Sequence, residues 1–128
     1  DLLVKWLRLI VQDSGLNIIK ICDDDLSKLG RENQKSFLIY ATNIMRQIIL
    51  TQQGLENLVF LPEQELDFVN KFAANYAIEQ IEETINLFEE THYSVERNAN
   101  PKILFLDLSL QLVLLFKYQT FPQGTQYI

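Results

Sequence analysis

Apolar side chains recur along most of this chain at the three- and four-residue steps of an amphipathic helix, with polar residues between them. Leu2, Leu3, Trp6 and Leu7 open a predicted helix over about residues 1–12, which stops at the turn-forming Asp13-Ser14-Gly15. A second covers about 16–28, with Ile18, Ile19, Cys22 and Leu26 toward the core and Gly30 placed as its C-terminal stop. From Arg31 to about Gln53, Phe37, Ala41, Ile44, Met45 and Ile48 share one helical face. At ~1.5 Å per residue that helix is roughly 35 Å long.

Residues 54–61 read as a loop with buried anchors. Its cluster of Leu55, Leu58, Val59, Phe60 and Leu61 is too apolar for an ordinary connection, so it folds back onto the core or meets a neighbour. Pro62, at a first-turn position with Glu63 and Glu65 near the positive helix end, starts a helix that reaches about Asn75. The clearest amphipathic pattern follows: Ile78, Ile81, Ile85, Phe88, His92 and Val95 form a packing seam, and Glu79, Glu82, Glu83, Glu89, Glu90 and Glu96 lie off it, toward water. Asn100-Pro101 then supplies an N-cap and first-turn pair for a last helix. That helix is apolar nearly all round except at Asp107, Ser109 and Gln111, which predicts a central position. Residues 106–112 also alternate with period two, but length, leucine content and the cap favour helix over strand.

Six helices with short connections define an all-α fold, a compact array of five to six helices over residues 1–119, followed by an irregular tail over 120–128. No internal repeat or low-complexity tract interrupts it. A chain of 128 residues with 48% hydrophobic content is sized for one core. Apolar periodicity begins at Asp1 itself, which leads us to expect an upstream segment. The densest apolar stretch, 103–116, is too short to span a bilayer and contains Asp107. With no leader pattern either, the expectation is a soluble protein away from membranes. Cys22, the single cysteine, allows no intrachain disulfide or thiolate zinc site, which fits the reducing cytoplasm.

Charge is uneven. Residues 1–46 carry seven basic and six acidic side chains, whereas 47–100 carry ten acids against Lys71 and Arg97 alone. Nucleic-acid affinity comes largely from neutralising phosphates, so this acidic half argues against direct nucleic-acid binding.

Candidate chemistry is thin. The four glycines at 15, 30, 54 and 124 are isolated, so no phosphate-cradling loop is encoded. Glu89-x-x-His92 has metal-ligand spacing, but helical di-iron sites need that motif twice and this chain has one histidine. Cys22, on an apolar helix face, reads as a core thiol rather than a nucleophile, and the acids pattern to the outside of helices rather than into pockets that would shift their pKa. The expectation is a domain without catalytic residues, cofactor or metal. Candidate partner contacts are Arg31 and Lys35 in the polar helix start at 30–35, and Leu58 and Phe60 in the apolar loop. A small-ligand or regulatory domain is the alternative, and it would need a central cavity lined by residues such as Trp6, Phe72, Tyr76 and Phe105.

Several segments carry a family resemblance. Leu29-Gly30-Arg31-Glu32-Asn33-Gln34-Lys35-Ser36-Phe37-Leu38, then Asn98-Ala99-Asn100-Pro101-Lys102 and Leu104-Phe105-Leu106-Asp107-Leu108-Ser109-Leu110, together with Trp6-Leu7-Arg8-Leu9, resemble the C-terminal domain of the delta-prime subunits of bacterial DNA polymerase III. The likeness covers about residues 3–117 and rests on helical packing patterns rather than catalytic signatures. It implies an upstream AAA+ nucleotide-binding module and a collar-type role in the clamp loader during DNA replication. There the domain would dock on the C-terminal helical domains of the delta and gamma/tau subunits, with weak self-association as an option in isolation. Nothing here matches that family's phosphate loop, zinc module or Ser-Arg-Cys motif, so the resemblance assigns no ATP hydrolysis to these residues.

Overall fold

A computed structural model describes residues 1–121. They form six helices: α1 (Leu2–Val11), α2 (Gly15–Ile21), α3 (Arg31–Gln52), α4 (Glu63–Asn75), α5 (Ile78–Glu96) and α6 (Pro101–Lys117). Among the described residues there is no strand, so the helical reading of 106–112 holds. α2 continues into a π-helical turn at Cys22–Leu26, and a single 3-10 turn, Glu56–Leu58, interrupts the α3–α4 loop. Thr120 and Phe121 are non-helical, and the rest of the expected irregular tail lies outside the described residues.

Local chemistry sets the boundaries. The Asp1 carboxylate accepts from the Leu3 amide at 2.9 Å, capping α1. Asn100 caps α6 the same way, accepting from the amides of Lys102 at 3.0 Å and Ile103 at 3.3 Å. Asn98 takes a left-handed backbone, φ +61°, to turn the chain out of α5, a conformation asparagine tolerates. Gly30 differs from its expected role. The preceding turn has already ended at Leu26, and Gly30 is instead the N-cap of α3, at φ +86° and ψ 154°. Few residues but glycine adopt that combination. Pro62 likewise sits one position earlier than expected, as the N-cap of α4 with extended ψ.

α3 and α5 form the most extensively packed pair; α4 lies on α3, while α6 lies on α5 and is covered by α1, α2 and the π-turn. Trp6 and Leu7 of α1, Met45 and Ile48 of α3, Phe88 of α5 and Phe105 of α6 meet in one core with no exposed surface. The expected face of α3 is buried at Ala41, Ile44, Met45 and Ile48, while Phe37 is only half-buried, its ring 5.7 Å from that of Trp6.

Three expectations about facing are corrected. Ile19 is exposed, because α2 turns Ile18 and Ile21 inward. On α5 the buried face is rotated from the expected seam: Ile81, Phe88 and Val95 are buried, but Ile78, Ile85 and His92 are only half-buried, and Gln80, Thr84, Leu87 and Thr91 fill the interior instead. The threonine hydroxyls donate to the carbonyls four residues back, Gln80 and Leu87, each at 2.8 Å, so they enter the core already satisfied. The Gln80 carboxamide oxygen accepts from the Ala77 amide at 2.8 Å, and its nitrogen donates to the Leu115 carbonyl of α6 at 2.9 Å. Finally, α6 packs on four elements, the central place expected of it, but its apolar surface is not all covered: one flank is buried and the other is open to solvent.

Candidate protein-docking site

The open flank of α6 carries Ile103, Leu110 and Leu114, which are 66%, 51% and 45% exposed, with half-buried Leu106 between them. Steps of three, four and four residues place all four on one helical stripe. α2 and the π-turn run alongside and are tied to α6 at several points. Lys102 Nζ meets Asp23 Oδ1 at 3.0 Å, Cys22 Sγ lies 3.4 Å from Ser109 Oγ, and the Tyr118 hydroxyl donates to Asp13 at 2.9 Å. The Asp13 hydrogen bond also raises the Tyr118 pKa above its ordinary value. On α2, Ile19, one turn before Cys22, and Leu16, a turn further back, are 46% and 72% exposed. Two adjacent helices thus show water a strip of large aliphatic side chains. Single exposed leucines are ordinary, whereas a stripe of aliphatic side chains along one helix, as on α6, is the kind of surface that contact sites use.

The candidate contacts read from the sequence lie elsewhere and are not brought together. Arg31 and Lys35 sit at the start of α3, where Arg31 hydrogen-bonds Asn98 and Lys35 pairs with Glu96 at 3.4 Å and Glu32 at 3.7 Å. Both therefore bind the α3 start to the α5 end. Leu58 and Phe60 follow the other end of α3, roughly 30 Å away along its axis. The loop divides between the two roles it was given. Val59 is buried and Leu61 packs on the core, while Leu58 and Phe60 are 52% and 87% exposed. The α2–α6 strip was missed because the all-round apolarity of α6 reads as burial; the repeat at 103, 106, 110 and 114 was its available signal.

The groups with candidate chemistry are placed as follows. Cys22 is buried beside Ser109. Burial pushes its thiol pKa up, the Ser109 hydrogen bond acts in the opposite sense, and the nearby Asp23 charge adds to the rise. Among the described residues no three histidine, cysteine, aspartate or glutamate side chains are grouped to hold a metal ion. The four positions proposed for a ligand cavity are divided. Trp6 packs at a tilt against Phe37 and Phe88, while Phe72 and Tyr76 join Phe68 and Phe116 in a second aromatic cluster with ring separations of 4.5–5.6 Å. No helix among the described residues is long and apolar enough to cross a membrane.

No protein-family model matches this chain, and no match is found among curated proteins or solved structures.

Proposed function

We propose that this chain is a non-catalytic, cytoplasmic assembly domain that packs against the helical domains of other subunits, as a delta-prime-like member of a clamp-loader collar. The observation that carries the docking role is the aliphatic strip on α2 and α6. Ile103, Leu110, Leu114, Leu16 and Ile19 leave 45–72% of their surface in water, and helix-on-helix contact would remove it from water. The choice of clamp-loader partners rests on the resemblance at residues 29–38 and 98–110.

The test is light scattering after size exclusion, on the chain alone and mixed with the C-terminal helical domain of a gamma/tau subunit from the same source. A stable mixed complex that Leu110→Ser with Leu114→Ser abolishes, without loss of helicity by circular dichroism, is the expected result. A chain that stays monomeric in that mixture removes the clamp-loader assignment. A complex indifferent to the double substitution removes the strip as the docking face.

A further inference from the structure

A second surface, on the opposite side of α5 from α6, has a different composition. α3 and α5 run antiparallel, as the pairings of Lys35 with Glu96 and of Arg46 with Glu89 require. Along their outer junction lies a groove in two sections, about 250 Å³ and about 630 Å³, which share Arg46. Leu38, Ile39 and Thr42 of α3 and Glu89 and His92 of α5 line the first; Ile49, Glu82 and Ile85 line the second together with Phe121, which reaches it from the chain beyond α6. The Arg46 guanidinium reaches across to Glu89 at 3.6 Å, a half-exposed pair that spans the groove between its two sections.

The spacing of the lining is informative. On α3 the lining residues Ile39, Thr42, Arg46 and Ile49 follow steps of three, four and three. On α5 Glu82, Ile85, Glu89 and His92 follow the same alternation. Ile78, Ile85 and His92 are the half of the α5 seam that the core leaves only half-buried. Two antiparallel helices that each present a stripe of heptad period to one groove offer the holes into which a third helix inserts its knobs. The lined stretch of α5, Glu79 to His92, is roughly 20 Å long, about four turns.

Charge selects the third helix. Within α5, Ile78–Glu96, there are six glutamates and no lysine or arginine. Lys35 and Arg46 are paired with Glu96 and Glu89, whereas Glu79, Glu82 and Glu83 have no ion-pair partner among the described residues. All three line the wider section of the groove. We propose that the α3–α5 groove binds an amphipathic helix of about four turns, with aliphatic residues at three- and four-residue steps and lysine or arginine on the flank facing α5. This site is separate from the α2–α6 strip and stands or falls independently of it.

The experiment uses a designed, fluorescein-labelled 18-residue helix with leucine at those steps and lysine on its flanks, beside a twin with glutamate at the flanking positions. Binding to the whole chain is followed by fluorescence anisotropy and mapped by amide shifts. The lysine peptide is expected to bind, to weaken as salt rises, and to perturb residues of α3 and α5 that line the groove. Glu82→Lys with Glu83→Lys should weaken it by about tenfold, and Ile39→Ser, at an exposed site that does not endanger the fold, should weaken it comparably. Leu110→Ser should have no effect. Equal affinity for the glutamate twin, shifts confined to α2 and α6, or insensitivity to both groove variants would overturn the proposal. So would groove shifts that depend on the concentration of the chain alone, or on removal of residues 122–128, because a second copy or the chain's own end would then be the occupant.

Discussion

Ser109 holds three elements together through one buried oxygen, and its removal tests how the core is specified. The Ser109 hydroxyl donates to the Phe105 carbonyl at 2.7 Å and accepts from the Trp6 indole N–H at 2.9 Å, and Cys22 Sγ is 3.4 Å away. With its own proton on Phe105, the serine oxygen is the acceptor for both neighbours. Trp6 and Ser109 are fully buried, so in Ser109→Ala the indole N–H stays out of water with its acceptor gone. Leaving a buried donor unpaired costs about 1–3 kcal/mol, and the methyl that replaces the hydroxyl nearly fills its place, so about 2 kcal/mol is expected. For a chain of 128 residues, with an unfolding entropy near 2.1 cal/mol/K per residue, that lowers Tm by about 7 °C. Urea unfolding followed by the fluorescence of Trp6, the single tryptophan, reads the loss at the site itself. The decisive comparison is a double-mutant cycle by circular dichroism. In a Trp6→Phe background the donor is absent, and Ser109→Ala should then cost well under half as much. Equal costs in the two backgrounds, or a Tm within about 1 °C of the parent for the single change, would refute the reasoning.

Two further expectations concern the α3 start and the α1–α3 junction. Gly30→Ala meets no atom within 4 Å of the added Cβ, so its effect is backbone strain alone at φ +86°; a loss of about 1–3 kcal/mol is expected by chemical denaturation, and an unchanged midpoint would show that the turn relaxes. The Tyr40 hydroxyl donates to Asp1 at 2.9 Å, and burial, with the Glu65 carboxylate adding to it, pushes its pKa up to about 12. A raised folded pKa means the native state holds the proton more tightly. The stabilisation is therefore complete below about pH 10, the unfolded value, and is lost as pH climbs toward 12. Phenolate absorbance should show a late step that Tyr40→Phe deletes, and persistence of that step in the variant would assign it to another tyrosine.

Much of the architecture was legible because helix periodicity and capping are local. Asp1 and Asn100 announce their helices by side chains that reach amides two or three residues on, and the positions of all six helices follow from such signals and from apolar spacing. The docking faces were less legible. Arg31 and Lys35 stand out as exposed charges in the sequence, yet each finds a partner from the distant α5 end, a pairing that no local pattern encodes.

The sequence by itself determined that this protein is a set of six helices, where each begins to within about a residue, and that its acidity is concentrated on α5. Those properties depend on neighbours within a turn or two, and the chain carries them before it folds. Only the tertiary structure decided which apolar stripes are covered. α5 rotates so that Thr84 and Thr91 go inward and Ile78 and Ile85 stay half-open, because a threonine bonded to its own helix enters a core without a polar penalty. α6 leaves Ile103, Leu110 and Leu114 in water because α1, α2 and α5 cover only part of its circumference. A leucine reads the same in sequence whether a helix of its own chain covers it or not, and burial is settled by how many neighbours the fold can place around it.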